Sequence, residues 1–176
     1  MPGLITIDQR GDGVRKFAQR LRLASVVVQN LAPTFDQILH PYMQRHMERQ
    51  FQSDGRYGGA TWAGYGGEPQ YRAFKRSIGA SMRPLRWLPG RQERLFPSLT
   101  SKGPYSVRET RRDSASYGTK LPYAKQLEVG GVGPFGEAFP RRKIISTLPD
   151  QRAQMIELIR QDIMARIGGA QRPRVR

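Results

Sequence analysis

The sequence predicts an α+β fold, with a mostly antiparallel β-sheet packed by N-terminal helices and a C-terminal helix. Three observations predict it. Helical periodicity fills residues 12–52, strand-like segments gather in 94–146, and helical periodicity returns at 150–167. Strands grouped between helices favour antiparallel pairing over a βαβ wind.

The elements follow in order. Leu4-Ile5-Thr6-Ile7 is a β-branched run and reads as a first strand. Gly11-Asp12-Gly13 breaks it, and Val14, Phe17, Leu21, Val28 and Leu31 then fall on one helical stripe. That places a helix at about 12–30, with Asp12 as its cap. Pro33 opens a second helix, whose apolar face of Phe35, Ile38, Leu39, Tyr42, Met43, His46 and Met47 runs to about Gln52. Pro41 lies inside it, so a kink or a fresh start is expected there.

Residues 55–67, GRYGGATWAGYGG, set six glycines among Tyr57, Trp62 and Tyr65. This reads as a loop whose aromatics dock on a neighbour. Tyr71 to Met82 suits a short helix, and Arg83 to Arg94 a basic loop around Trp87. Arg94 to Leu99 reads as short and extended. Tyr105, Val107 and Glu109 alternate with Ser106 and Arg108, and Ser114 to Gly118 is placed to pair back. In 121–131, LPYAKQLEVGG is built to pack and then to stop at two glycines. Phe139 to Ile145 is apolar at both ends with Arg141, Arg142 and Lys143 at its centre. Met155, Ile156, Ile159, Ile163 and Ile167 form the stripe of the closing helix, ended by Gly168-Gly169. The organisation is one domain over 1–168, with a basic tail at 169–176.

Thirty basic residues against 14 acidic give a net charge of +16. The excess is +3 in residues 1–52, +8 in 53–120 and +5 in 121–176. A polyanion or an acidic protein face is the natural partner of such a chain. Most of the cations are Arg, which suits bidentate contact with phosphate or carboxylate. Arg72, Lys75, Arg76, Arg83, Arg86, Arg91 and Arg94 interleave with Tyr71, Phe74 and Trp87, a vocabulary shared with base stacking and phosphate contact. Arg83, Arg86, Arg91 and Arg94 are the candidate contacts to DNA or an acidic partner.

Catalytic signatures are missing. There is no cysteine, so neither disulfides nor thiolate chemistry enter. His40 and His46 stand six apart, without the one-turn spacing of a metal pair. Asp12, Asp36 and Asp54 lie in separate segments and form no dyad. The glycine-rich loop lacks the lysine of a phosphate-cradling loop. We therefore expect no enzyme activity, no cofactor and no metal. MPGLITIDQRGDG has no signal-peptide pattern, and no window approaches the ~18 apolar residues of a membrane span. The expectation is a soluble chain without a membrane partner.

The order of short motifs resembles the Mu-like virion-morphogenesis and tail-completion proteins of tailed bacteriophages. Helices end at Phe51, followed by Gly55 and Trp62. Arg94-Leu95-Phe96-Pro97-Ser98-Leu99-Thr100 matches a leucine–serine–leucine element. After a hairpin come Tyr123-Ala124-Lys125-Gln126-Leu127-Glu128-Val129-Gly130, then Pro140-Arg141-Arg142-Lys143-Ile144-Ile145, and a closing helix. The resemblance covers roughly 35–167. The chain departs from it at Leu127, where the family often has histidine, and at Pro89 to Glu93, where a threonine–glycine turn is usual.

The resemblance implies a structural protein of the phage neck. It would complete or terminate the tail and join it to the head as a ring, with sixfold symmetry, around the DNA channel. Its partners would be itself, neighbouring neck and tail proteins (tail tube, tail terminator, head–tail connector) and DNA in the channel. It would reside in the virion, and in the host cytoplasm during assembly. Tyr57, Trp62, Tyr65, Tyr123, Arg141, Arg142 and Lys143 are the candidate assembly contacts. The alternative from composition is a free-standing basic nucleic-acid-binding protein.

Overall fold

The computed structural model describes residues 12–62, 73, 76, 77, 79, 95–132 and 138–168. Helix α1 spans Asp12–Gln29. Helix α2, Ala32–Thr34, runs into a π-helical turn at Phe35–Leu39 and then into α3, His40–Gln52. Arg56–Gly58 is a 3-10 turn and Leu95–Thr100 is helix α4. Strands β1, Ser106–Thr110, and β2, Ala115–Thr119, form an antiparallel hairpin with Ser106 opposite Thr119 and Thr110 opposite Ala115. Helix α5 is Pro122–Val129, and β3, Gly131–Val132, pairs antiparallel with β4, Ala138–Phe139. Helix α6, Pro149–Gly168, closes the chain. The fold is α+β, helix-rich, with its strands in antiparallel pairs and helices at both ends.

Pro41 stands in the first turn of α3, which starts afresh at His40 after the π-helical turn. A proline has no N–H to donate. The turn before it is widened, and His40 N–H bonds back to Phe35 O, five residues earlier. Widened turns of this kind absorb a local misfit.

Helix α3 supplies the floor of the core. Met43, Met47 and Phe51 recur at four-residue steps and are 8, 0 and 0 % exposed. They meet Trp62, Leu95, Leu99, Leu121 and Ile144 in one cluster. The segment around Leu95, expected to be extended, is helical for a reason visible here. Leu95 and Leu99 are one turn apart and both are buried, and α4 lies against α3. Ser98, Thr100 and Ser101 hydroxyls donate back to Leu95 O, Phe96 O and Pro97 O. The stretch read as built to pack and then stop at glycines is helix α5. Pro122 stands in its first turn, where a missing N–H costs nothing, and Gly130 at φ +78° ends it.

The buried face of helix α6 is rotated from the one its isoleucines mark, so Ile156 is exposed while Ile159, Ile163 and Ile167 are half-buried. Gln151, Asp162 and Ala165 are buried, and Met155 and Leu158 pack against the core, so the inward stripe runs 151, 155, 158, 162, 165. Ile156 points outward at 62 % exposure. Asp162 is tolerated inside because the Thr34 hydroxyl donates to its Oδ2 at 2.7 Å. Arg166 in turn donates to Thr34 Oγ1 at 2.9 Å.

Of the remaining sequence expectations, the strand at Leu4–Ile7 and the tail at 169–176 lie outside the described residues. Within the short helix expected at 71–82, only Ala73, Arg76, Ser77 and Gly79 are described, and the first three are helical.

Candidate partner interface

Of the residues proposed for assembly contacts, Tyr57 and Trp62 lie on a corner after α3, and Trp62 meets the segment that carries Arg141, Arg142 and Lys143. The chain turns sharply because Asp54 and Gly55 both take positive φ, +50° and +90°. Gly55 N–H donates to Gln50 O, and Trp62 N–H donates to Asp54 O at 2.9 Å. A Cβ at Gly55 would sit 1.9 Å from Ala60 O and 2.7 Å from the Trp62 ring, so glycine is required. The turn returns Trp62 edge-on to Phe51, with ring centroids 4.9 Å apart.

Trp62 then holds a second segment. Its Nε1–H donates to Lys143 O at 2.8 Å. The same segment is fixed by Arg142 N–H to Leu127 O at 2.8 Å and Ile144 N–H to the Glu128 carboxylate at 2.6 Å. Gln50 donates to Ser146 Oγ at 2.8 Å, and His46 Nε2 donates to Ser146 O at 2.7 Å. Held this way, the segment's side chains alternate between exposed and buried. Arg141, Lys143 and Ile145 point out, while Arg142 and Ile144 point in, at 2 and 3 % exposure.

This corrects two assignments. Arg142 is not part of an outward cationic triplet, because its side chain is buried, at 2 % exposure. Trp62 is not a free docking aromatic: it is 3 % exposed and spends its N–H on Lys143 O. The part of the glycine-rich loop that is described, residues 55–62, is a packed corner. Tyr57 is half-buried, its ring 5.1 Å from His46, and its hydroxyl accepts from Arg49 at 3.2 Å. Its carbonyl accepts from Gln151 at 2.6 Å.

Arg141, Lys143 and Tyr123 remain outward, Tyr123 at 38 % exposure. Arg141 Nε–H donates to Glu128 O at 3.1 Å, which seats a cation on the last turn of α5. Tyr65, Arg83, Arg86, Arg91 and Arg94 lie outside the described residues. The structure adds exposed cations that the sequence reading passed over. Lys102, Arg111, Arg112 and Lys120 surround the β1–β2 hairpin, and Lys125 stands on α5. Their signal was hairpin geometry, which puts residues at the turn and strand ends into solvent. Helix α1 was also passed over as a contact surface: Phe17, Leu21 and Val28 are 62, 55 and 61 % exposed.

The titratable groups inside are structural. Burial pushes the His46 and His40 imidazoles below their ordinary range, against Ser146 O for the former and the Asp36 carboxylate for the latter. Burial pushes the Tyr117 hydroxyl up to about 12, and this hydroxyl donates to Leu99 O. Among the described residues no three His, Asp or Glu side chains are grouped to hold a metal ion. No described helix is long and apolar enough to cross a membrane. A depression of about 260 Å³ is lined by Pro97, Ser98, Ser101, Gly103, Pro104 and Tyr105 and holds no carboxylate or imidazole. Among the described residues the surface carries outward cations, Arg141, Lys143, Lys102, Arg111, Arg112, Lys120 and Lys125. No family model, curated protein or solved structure matches the chain.

Proposed function

We propose that the chain is a structural protein of a tailed-phage neck, which completes or terminates the tail and joins it to the head as a ring around the DNA channel. One observation carries the reading. The short motifs that resemble the tail-completion family, far apart in sequence, interlock around one core. Phe51, Trp62, Leu95, Leu99 and Ile144 share a cluster, and Gly130 lies against the Arg141 backbone. Arg141 and Lys143, outward on that frame, supply contacts to acidic neighbours or to channel DNA. Heterologous contacts that close give rings, and sixfold symmetry comes from the resemblance. The reading carries no turnover and no cofactor. Its site of action is the virion, reached from the host cytoplasm.

Electron microscopy of the purified protein, alone and mixed with tail tubes, tests this reading. Rings, or rings capping the tubes, support it. A monomer that leaves tubes uncapped at every concentration overturns it.

The hairpin cations favour a second reading, a free-standing nucleic-acid binder. Its signature is tight binding to duplex DNA by the isolated chain, with affinity falling steeply as salt rises. Weak binding with a shallow salt slope would eliminate it.

A further inference from the structure

Helix α1 ends without a cation of its own. Its last turn carries no basic residue, although the last carbonyls of a helix lack intrahelical donors and carry partial negative charge. The missing cation comes from 83 positions away in the chain. Arg112, at the tip of the β1–β2 hairpin, donates its Nε–H to Gln29 O. The same residue takes a bond in return, since Leu31 N–H donates to Arg112 O at 2.8 Å. One hairpin residue thus grips the chain on both sides of Asn30, in the short joint between α1 and α2. The joint's own bonds sit at the long end of the normal range: Asn30 N–H reaches Val27 O at 3.2 Å, and Ala32 N–H reaches Asn30 Oδ1 at 3.2 Å. Along α1 every residue from Arg15 to Leu23 is exposed, and Val27 is the one buried residue among its described side chains. Helix α6 holds it by packing, and the hairpin tip holds it through Arg112. We propose that Arg112 is a latch: while its guanidinium caps α1 the helix keeps one direction, and a phosphate group that claims the guanidinium lets the helix pivot about residues 30–31.

Competition follows from sign. Gln29 O lies at the negative end of the α1 dipole, and a phosphate oxygen is an anion, so the two acceptors repel each other across one guanidinium. A phosphate takes an Arg in a bidentate fork, with shorter and stronger bonds than a neutral carbonyl accepts. Arg112 is exposed, and so is Arg111 beside it. The tip sets these two guanidinium groups against one carboxylate, Asp113, to which the Ser114 hydroxyl donates at 3.0 Å. Neither the ring nor the neck enters this coupling, which stands apart from them.

The chain has no cysteine, so labelling sites can be introduced one at a time. Cysteines replace Gln19 on α1 and Ala153 on α6, both exposed, and double electron–electron resonance reads the distance between spin labels there. The chain otherwise unchanged should give one narrow peak. With Arg112→Gln the peak should move or broaden by about 5 Å, because Gln19 stands ~15 Å from the root of α1 and a swing of ~20° carries it that far. Arg112→Lys should recover part of the narrow peak, and Arg111→Gln should keep it whole. Far-UV circular dichroism should not change, which separates pivoting from fraying of α1. Sodium pyrophosphate, and separately a short DNA duplex, should broaden the peak of the unchanged chain and leave that of Arg112→Gln where it is. A response to pyrophosphate assigns the latch to free phosphate groups, and a response to the duplex alone assigns it to a nucleic-acid backbone. Four results overturn the proposal. These are a narrow peak in Arg112→Gln, a loss of helical signal in that variant, a peak in the unchanged chain that neither probe moves, and an equal response to the probes with and without Arg112.

Discussion

One methyl group added at Gly58 should destabilise the protein more than the removal of several methylenes from an exposed position. Gly58 is buried in the 3-10 turn after α3. A Cβ there would lie 2.2 Å from Gln50 Oε1 and 2.5 Å from Ser146 O. Neither atom is free to retreat. Gln50 is 0 % exposed and its amide donates to Ser146 Oγ at 2.8 Å. Ser146 O is backbone, and it accepts from His46 Nε2 at 2.7 Å. Relief requires that the 143–146 segment move away from α3, which loosens both bonds. Overpacking costs about 1–3 kcal/mol, and each weakened buried bond adds about 1 kcal/mol. Gly58→Ala should thus lose about 3 kcal/mol, a fall in Tm of roughly 6–12 °C for a chain of this size. Gly103→Ala is the internal control, since nothing lies within 4 Å of its Cβ position. There the shift should be between zero and a gain of about 1 kcal/mol, from a less flexible unfolded chain. Thermal melts followed by circular dichroism read both. If Gly58→Ala melts with wild type, the 143–146 segment is not clamped against α3 as described.

Three further outcomes follow from the same structure. In denaturant titrations Leu158→Ala should lower the unfolding free energy by about 1–3 kcal/mol, discounted for partial burial, while Ile156→Ala, 62 % exposed, should stay within about 0.5 kcal/mol; equal effects would reverse the facing assigned to α6. Below the ordinary histidine value of 6.5 the unfolded chain takes up protons that buried His40 and His46 refuse, so stability should be full above it and fall as pH drops through it. Urea midpoints that match at about pH 5.5 and about pH 8 would contradict this, and His46→Asn should shrink the difference. Changing Arg141 and Lys143 to Gln should leave Tm unchanged and weaken binding to an anionic partner most at low salt, whereas Arg142→Gln, at 2 % exposure, should lower Tm; a thermally silent Arg142→Gln would return that residue to the surface.

The periods were legible in the sequence, and what each face meets was not. The stripe Phe17, Leu21, Val28 announces a helix, and α1 is there, yet the face it marks is turned to solvent while Val27 is buried. In α6 the inward face is rotated from the isoleucine stripe, leaving Ile156 outside and the other isoleucines half-buried. The reason is Asp162, whose burial depends on a hydroxyl at Thr34, 128 residues earlier. No local pattern contains that partner. The hairpin was readable because strand alternation and turn residues are both local, and β1 and β2 pair as expected. Arg142 was misread for a similar reason. Three successive cations look like a solvated run, and only the bonds from Trp62, Leu127 and Glu128 fix which of them points inward. Arg83, Arg86, Arg91 and Arg94, chosen for their charge, belong to a stretch outside the described residues.

The Thr34–Asp162–Arg166 tie has a mechanical meaning. It anchors α2 to α6 just beyond the point where α1 departs. Helix α1 has 18 residues and so extends about 27 Å at ~1.5 Å per residue. A rotation of ~10° about its root would swing the far end by roughly 5 Å, about one helical turn. The root of α1 therefore works as the fulcrum of a lever. A change at position 162 that loosened this tie would thus be expected to alter the direction of α1 more than any contact along it.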